Sequence, residues 1–376
     1  MHSVSVKLPS SQGLKMAGTI DMPDTPPVAY AIFAHCFTGS RFTPAAARVS
    51  KQLTASGIAT LRFDFPGLGQ SEGEFANTSF SSNVEDIKSA YEWMSQNYAA
   101  PQLLIGHSLG GAASLKAATE LPRLKAVATI GAPFDPAHAV LHFADRIKDV
   151  DDHGAVTVVL GGRDIVISRA FLEDLADTNP EIYLPKLRKP LLLVHSPIDE
   201  TVGVDNAQLI FRVTRYPKSL VSLDKADHLA TREGVAQRAA DLIGAWVEPY
   251  LVPDYSPETV EAGAVSRSAK GTRFADTVRT PVGELRTDRA KKDGGKDLGH
   301  TPADLIAAAL AADASQAIRD AARRDRIKLE DVAVTVTPEG FGFSRQIELT
   351  GDITDDQRRR LLQAVRPLTV SVRDIR

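Results

Sequence analysis

The chain opens with two stretches in which apolar and polar residues alternate, HSVSVKL and LKMAGTIDM, joined by the polar turn PSSQG. Alternation with a period of two is typical of strands with one buried face, so these stretches predict a β-hairpin. After the Pro-rich spacer PDTPP, short and nearly continuous apolar runs alternate with stretches of helical periodicity. This second pattern indicates a parallel sheet that is covered on both faces.

The runs predicted as strands of this sheet are AYAIFAHCF, which is predicted to be fully buried, and IATLRFDFPG, QLLIGHS, LKAVATIGAP, PLLLVHSP and KSLVSLDKADH. The predicted helices are 44–56, 81–97, LGGAASLKAATEL, VDNAQLIFRVTR and 232–250. Strands and helices in alternation predict an α/β fold with a mostly parallel, doubly wound sheet over residues 1–251.

One segment, residues 134–189, interrupts the alternation. It contains the helical text HAVLHFADRIKD, the hairpin text VTVVLGGRDIVIS and the helical text AFLEDLAD. Because it lies between two strands that are expected to be neighbours, we interpret it as a cap inserted over the sheet. Its apolar residues favour an acyl or aromatic pocket: Phe134, Leu141, Phe143, Ile165, Phe171 and Leu172.

The remainder of the chain has a different organisation. Residues 252–273 contain Pro, Ser and Gly with little periodicity and are predicted to form a linker. Residues 274–376 contain the strand-like stretch FADTVRTPVGELRTD, an Ala-rich helix over 302–324, the strand pair EDVAVTVT and FSRQIELTG, the helix TDDQRRRLLQAV and the strand-like LTVSVRDI. This order predicts a second, smaller α+β domain.

Composition narrows the function classes. The net charge of −3 and the absence of aromatic residues among the basic ones argue against nucleic acid as a partner. No apolar stretch is long enough for a membrane span, and the N-terminus has no signal-peptide pattern. Cys36 is the single cysteine, so neither an intramolecular disulfide nor a zinc cluster is expected. We expect a cytoplasmic protein without a metal or cofactor.

The stretch LLIGHSLGGAAS carries the clearest chemical signal. Ser108 lies between Gly106 and Gly110, after an apolar strand and before a helix. A strand-to-helix turn this tight leaves no room for side chains at the two glycine positions and exposes the serine hydroxyl above the sheet edge. Ser108 is therefore the predicted nucleophile, and His107 beside it is predicted to be a packed residue rather than the base.

A serine nucleophile needs a neutral imidazole, which a carboxylate orients. In a parallel sheet, the chain order serine, acid, histidine places each group at the end of a later strand. Asp199 follows the strand PLLLVHSP, and His228 lies in the loop after the last strand, at the end of the stretch KSLVSLDKADH. These are the predicted acid and base. Six other residues are less favoured for these roles. Glu200 is the closest rival acid, and Asp164 is predicted to lie in a cap turn. Asp205 is predicted to cap a helix, His195 to be a packed residue, and Asp224 and Asp227 to be loop carboxylates.

The third requirement is an oxyanion hole, formed by two N–H groups that face the developing negative charge. The N–H of Phe37, after the first buried strand, and that of Leu109, after the nucleophile, are the predicted donors. Cys36 is predicted to be a small buried thiol in the same loop. In RFDFPGLGQSEGE, Asp64 and its neighbouring glycines are predicted to hold a structural turn, since no Gly-Lys-Ser/Thr is present for a phosphate loop.

The motifs HCFTGS, RFDFPGLGQSEG, GHSLG, SPIDETVG and ADH occur in this order over residues 1–250. With this ordered set, about two-thirds of the chain resembles the α/β-hydrolase fold superfamily. The resemblance implies Ser108 as nucleophile, Asp199 as acid and His228 as base, with Phe37 and Leu109 as oxyanion donors. The family's usual HG is HC here, which keeps the donor at Phe37 but crowds the turn.

The stretches GGKDLGHTPADLIAAALAADASQAIRDAARRDRIKLEDVAVTV and RQIELTGDITDDQRRRLLQAV resemble the OsmC/Ohr family of hydroperoxide-reducing proteins. The resemblance implies an intertwined dimer through this domain. That family uses two cysteines, whose positions correspond here to Asp313 and the neighbourhood of Pro367. Because an aspartate cannot form a sulfenic acid, the thiol peroxidase chemistry is not expected.

The whole chain thus resembles a fusion of an α/β-hydrolase with an OsmC-like domain. The expected activity is hydrolysis of small-molecule carboxylic esters through an acyl-enzyme on Ser108, in a homodimer. Two alternatives stay open at this point: a peptidase or thioesterase that uses the same triad, and a non-catalytic or redox-stress protein in which the OsmC-like part is functional. A serine-directed probe separates them, because a scaffold would not label at Ser108.

Overall fold

A computed structural model describes residues 1–24, 26–37, 39–137, 154–160, 163–252, 260–269, 272–340 and 342–365. The chain divides into two compact units, Met1–Glu258 and Thr259–Arg376. Buried apolar clusters lie within each unit, as expected for two domains with separate cores.

The first unit is built on an eight-stranded sheet with the order β1-β2-β4-β3-β5-β6-β9-β10. The strands of this unit are β1 (His2–Pro9), β2 (Lys15–Met22), β3 (Ala29–Ala34), β4 (Ile58–Phe63), β5 (Leu103–His107), β6 (Ala126–Ile130), β7 (Ala155–Leu160), β8 (Arg163–Ser168), β9 (Leu191–His195) and β10 (Lys218–Ser222). The predicted hairpin of β1 and β2 is antiparallel, and β2 also pairs antiparallel with β4. From β4 to β10 all pairings in the sheet are parallel, as the apolar runs predicted.

Helices connect these strands and cover the sheet. They are α1 (Pro44–Leu53), α2 (Phe80–Asn97), α3 (Leu109–Ala118), α4 (Arg169–Ala176), α5 (Pro180–Tyr183), α6 (Asp205–Val213) and α7 (Val235–Val247). Short 3-10 turns occur at Thr54–Ser56, Phe75–Asn77, Leu184–Lys186 and Glu248–Tyr250. Helices α1 and α7 contribute to one buried cluster, and α2, α3 and α6 contribute to the other.

The parallel strands inside the sheet read as continuous apolar runs because both of their faces are buried, whereas the edge strand β10 is half-exposed. In β3, Ile32 belongs to the cluster on one face and Phe33 to the cluster on the other. In β9, Leu193 and Val194 alternate in the same way. A strand that leaves one face in water would instead show the polar alternation that β1 has.

The predicted hairpin of the cap is present as β7 paired antiparallel with β8, followed by helix α4. Its inward residues Val156, Ile165 and Ile167 are buried in the same cluster as Phe171 of α4. This packing seats the hairpin and α4 on the α2 and α3 side of the sheet. The other predicted cap helix, HAVLHFADRIKD, lies outside the described residues.

The second unit contains α+β structure, as predicted. Its elements are β11 (Val265–Ser268), β12 (Asp276–Arg279), β13 (Glu284–Thr287), a 3-10 turn (Lys291–Asp293), α8 (Pro302–Arg324), β14 (Leu329–Glu339), β15 (Gly342–Gly351) and α9 (Asp355–Gln363). The strands form the antiparallel groups β11-β12-β13 and β14-β15. A capping box between Thr301 and Asp304 begins α8 at its predicted first residue.

Two features of this unit bear on the predicted linker and on the predicted equivalents of the OsmC/Ohr cysteines. Strand β11 lies inside the stretch 252–273 that was predicted as a linker; it is only four residues long and mostly exposed, so it has no apolar period to detect. Asp313 is exposed on α8. The stretch LTVSVRDI, with Pro367 just before it, lies outside the described residues.

Candidate active site

The turn at Ser108 is a strained strand-to-helix connection. Strand β5 ends at His107, helix α3 begins at Leu109, and Ser108 between them has φ 54° and ψ −127°. A Cβ on Gly106 would lie 2.5 Å from the carbonyl oxygen of Gly110, and one on Gly110 would lie 2.2 Å from that of His35. Both glycines are therefore required by sterics, and the tight turn is what presents the hydroxyl of Ser108.

The side chain of His228 connects Ser108 with Asp199. Its Nε2 lies 2.9 Å from Oγ of Ser108, and its Nδ1 lies 2.7 Å from Oδ2 of Asp199. A carboxylate only accepts, so Nδ1 carries the proton and Nε2 is free to accept from the serine hydroxyl. The structure thus brings the three predicted residues together from three loops that follow β5, β9 and β10.

The loop after β9 holds the carboxylate of Asp199 in place. Its Oδ1 accepts the N–H groups of Thr201 and Val202, each at 2.9 Å, and its Oδ2 faces His228. Burial alone would raise the pKa of Asp199, but the hydrogen bonds from His228 and the loop outweigh burial and keep that pKa below its ordinary value. An ionised acceptor at this position fixes the tautomer of His228.

The rival acids lie elsewhere. Glu200 is exposed beside Asp199, and Asp164 is exposed in β8 rather than in a turn. Asp205 was expected to cap a helix but is instead the first residue of α6, with no side-chain cap bond, because Val204 occupies the cap position. Asp227 accepts the N–H groups of Thr231 and Arg232, and Asp224 pairs with Arg238. Their predicted role as loop carboxylates agrees with these contacts.

The two predicted oxyanion donors line one small cavity. Among the described residues, the N–H groups of Phe37 and Leu109 donate to no protein acceptor. Cys36 is buried in the same cavity wall, and burial raises the pKa of its thiol to about 11. At neutral pH this thiol is therefore protonated and a poor nucleophile.

Three buried histidines hold backbone carbonyls near these groups, a role that sequence reasoning did not find. His35 donates from Nδ1 to the carbonyl of Cys36 (2.8 Å), and His107 donates from Nε2 to that of His228 (2.7 Å). His195 donates from Nε2 to the carbonyl of Val202 (2.8 Å) and lies 3.8 Å from Asp199. The sequence signal was present, since each histidine ends or directly follows an apolar strand, but it did not specify the partners.

Burial lowers the pKa of all three histidines. For His107 it lies at about 3, with desolvation as the largest cause and the nearby His228 as a second. Desolvation also lowers the pKa of His35 and of His195, against the opposing effect of their own hydrogen bonds. These rings are therefore neutral donors at physiological pH rather than alternative bases.

Three phenylalanine rings meet beside the oxyanion loop. The ring centroids of Phe37, Phe75 and Phe171 lie 5.5 to 5.6 Å apart in each pair. Phe171 belongs to cap helix α4, so the cap contacts Phe37, the residue of one predicted oxyanion donor. Of the other predicted pocket residues, Ile165 is buried and Phe134 and Leu172 are partly buried, while Leu141 and Phe143 lie outside the described residues.

The loop RFDFPGLGQSEGE is fixed by Asp64, as predicted. This buried carboxylate forms an ion pair with Arg41 and accepts the N–H groups of Arg41 (2.6 Å) and Gln70 (2.9 Å). Gly69 has a positive φ, and a Cβ there would overlap the carboxylate. The loop is therefore structural, and it carries no phosphate-binding geometry.

No group of three or more metal-ligating side chains occurs in the described ranges. In the same ranges, no helix combines the length and apolarity that crossing a bilayer requires.

The first unit of this chain is similar in sequence and in fold to known hydrolases. Residues 41–153 match the family model described as serine aminopeptidase, S33; the match includes Ser108 but not Asp199 or His228. The esterase domain of a Rhodothermus marinus protein is 44% identical, with 66% of this chain and 99% of that chain covered and a TM-score of 0.54. This chain belongs to the α/β-hydrolases.

More distant α/β-hydrolases agree in fold. Mouse alpha/beta hydrolase domain-containing protein 10 is 21% identical, with 65% of this chain and 99% of that chain covered and a TM-score of 0.55. In sequence, human mitochondrial palmitoyl-protein thioesterase ABHD10 is 29% identical over 133 residues, which is 33% of this chain and 42% of the relative. The chain thus spans less than half the length of the curated relatives that it matches.

Proposed function

We propose that this α/β-hydrolase cleaves carboxylic esters through an acyl-enzyme on Ser108. The observation that carries the proposal is the pair of hydrogen bonds made by one imidazole, 2.9 Å to Oγ of Ser108 and 2.7 Å to Oδ2 of Asp199. A serine hydroxyl is a weak nucleophile until such a base accepts its proton. The ionised Asp199 then stabilises the imidazolium that forms.

The reaction proceeds in two halves. Oγ of Ser108 attacks the ester carbonyl as its proton passes to Nε2 of His228, and the N–H groups of Phe37 and Leu109 bind the resulting oxyanion. His228 returns the proton to the leaving alcohol, and the acyl group stays on Ser108. Water then attacks the acyl-enzyme with His228 again as base, which releases the acid and restores the serine.

Apolar side chains at the site favour an apolar acyl or leaving group. Ile198, next in sequence to the acid, and Leu229, next to the base, are 52% and 45% exposed and leave apolar surface at these two loops. The aromatic rings of Phe37, Phe75 and Phe171 lie on the oxyanion side. The cavity that the two donors line has mostly apolar walls, and its polar side chains are the neutral His35, Cys36 and Asn83.

The leaving group distinguishes the proposal from its alternatives. The Rhodothermus domain is named an esterase, ABHD10 is named a thioesterase and the matched family is named for an aminopeptidase, and one triad serves all three reactions. We favour the oxygen ester because of the 44% identity to the esterase domain. The test compares one acyl group presented as a p-nitrophenyl ester, a thioester and a p-nitroanilide. A kcat/KM for the thioester or anilide that exceeds the ester value would select the corresponding alternative.

A fluorophosphonate probe tests the nucleophile itself. We expect stoichiometric modification of the wild type, which peptide mapping places on Ser108. The His228→Ala variant is expected to be modified more slowly, because the base is lost. A wild-type protein that stays unlabelled would support the non-catalytic alternative.

We propose that the second unit is an OsmC-like dimerisation domain without thiol chemistry. Its α+β order supports the proposal, as do the half-buried apolar side chains Val334 and Val336 along β14, which lie outside the buried cluster of this unit and which a second copy would cover. Cys36, in the first unit, is the single cysteine of the chain. Sedimentation at micromolar concentration is expected to give a dimer, and a monomer would contradict this proposal.

A further inference from the structure

His107 is fully buried beside the nucleophile and the base. Its Nε2–H donates to the main-chain carbonyl of His228 at 2.7 Å, and the two rings lie 5.2 Å apart at 37°. Its Nδ1 has no hydrogen-bond partner in the described structure. Among the described residues, the ring of His107 thus makes one hydrogen bond, to the carbonyl of a residue 121 positions later in the sequence.

The base needs such an attachment because of where it lies. His228 belongs to the loop between β10 and α7, outside any helix or strand. On its C-terminal side the loop is fixed by Asp227, whose carboxylate accepts the N–H of Thr231 at 3.0 Å. That bond shapes the loop but does not connect it to the nucleophile, whereas the bond from His107 does.

We propose that His107 is a positioning residue that sets the distance between the nucleophile and the base. His107 and Ser108 are joined by a peptide bond, so the group that holds the backbone of His228 moves together with the attacking oxygen. A shift of the elbow then carries Oγ and Nε2 in the same direction and preserves their 2.9 Å contact. A displacement of about 1 Å in such a contact can cost on the order of 100-fold in rate.

Three variants separate positioning from simple packing. His107→Gln keeps an N–H at about the reach of Nε2, His107→Asn places its N–H too close to the backbone to reach the carbonyl, and His107→Phe keeps the ring without the donor. Ser114→Ala is the matched control, because Ser114 is also buried beside the elbow and its hydroxyl has no partner among the described residues. All are compared at equal concentration of folded enzyme on one p-nitrophenyl ester.

We expect the Asn and Phe variants to lose about 10- to 100-fold in kcat with KM within about threefold of wild type. The kcat of the Gln variant is expected to lie within about threefold of the wild-type value. The kcat of Ser114→Ala is expected to equal that of the wild type. Wild-type kcat in Phe with a loss in Gln would show that the ring only fills space. Equal kcat in all variants, or equal loss in Gln, Asn and Phe, would show that the N–H of His107 does not position the base. If His107→Asn and His107→Phe both fail to fold while His107→Gln folds and is active, the contact serves folding rather than positioning, and the proposal is overturned.

This proposal rests on the proposed function, and the two fail differently. Fluorophosphonate labelling needs only the nucleophile and base, so it is measured alongside turnover. A wild-type chain that labels without cleaving esters would remove the substrate assignment, while slower labelling of Asn and Phe than of Gln would still support His107. A wild-type chain that neither labels nor turns over would remove both.

Discussion

Nδ1 of His228 lies 2.7 Å from Oδ2 of Asp199, while Glu200, the adjacent carboxylate, is exposed to solvent. We predict that Asp199→Asn lowers kcat by about 10⁴-fold, because an amide in this position can stabilise the wrong tautomer of His228. Glu200→Gln is the matched control and is expected to retain wild-type kcat on the same ester. Equal effects of the two substitutions would contradict the assignment of the acid.

Much of this site follows from the sequence because the topology converges at one edge. The carboxyl ends of β5, β9 and β10 meet there, so Ser108, Asp199 and His228 could be selected by chain order and strand position alone. The glycines around Ser108 and the neutral, buried strands made the elbow recognisable.

Contacts between distant loops could not be obtained in this way. Nothing in the sequence near His107 indicates that its ring reaches a carbonyl 121 residues later. The meeting of Phe37 with Phe171 depends on how the cap folds back, and β11 is too short and exposed to give a pattern. Asp205 was expected to cap its helix because aspartate is a common cap residue, but the backbone places Val204 at the cap and Asp205 inside the first turn.

The glycine at position 110 gives a second prediction. A Cβ there would lie 2.2 Å from the carbonyl oxygen of His35, and backbone cannot yield as a flexible side chain can. We expect Gly110→Ala to lower the free energy of unfolding by about 1–3 kcal/mol and to reduce kcat, because the elbow and the loop before Phe37 are pushed apart. Gly283→Ala adds the same methyl group where nothing lies within 4 Å, and urea unfolding should show little change for it.

The stability of the first unit should decrease in acid. The folded-state pKa of His107 is about 3, against an ordinary 6.5, so between these values the unfolded chain binds a proton that the folded chain does not. The free energy of unfolding therefore falls as pH falls through this window, by about 1.4 kcal/mol per pH unit for this group. His35 and His195, whose pKa values are also lowered from 6.5, act in the same direction as the pH falls below that value, and Asp199, whose pKa is lowered from 3.8, adds to the loss only in stronger acid.

Urea unfolding followed by tryptophan fluorescence at pH 7, 6, 5 and 4 measures this dependence, since both tryptophans, Trp93 and Trp246, lie in the first unit. His107→Gln removes one titrating group and should flatten the slope by about 1.4 kcal/mol per pH unit. Stability that does not change over this range would mean that the histidines are not held neutral.

The thiol of Cys36 should react slowly but with consequence. Burial raises its pKa from 9.0 to about 11, so the thiolate is on the order of 100-fold rarer than at an ordinary cysteine. Iodoacetamide at pH 7.5 is expected to modify the native protein correspondingly slowly, and complete modification should abolish esterase activity because the adduct crowds the loop that carries Phe37. Cys36→Ala is expected to stay active and become insensitive. Full activity after complete alkylation would contradict the placement of Cys36.

The most direct test of the account is turnover of p-nitrophenyl esters, from acetyl to long-chain and aromatic acyl groups, by the wild type and Ser108→Ala. We predict that the wild type cleaves a subset with apolar acyl groups and that the variant loses at least about 10³-fold in kcat. A Ser108→Ala variant as active as the wild type would contradict the assignment of Ser108 as nucleophile.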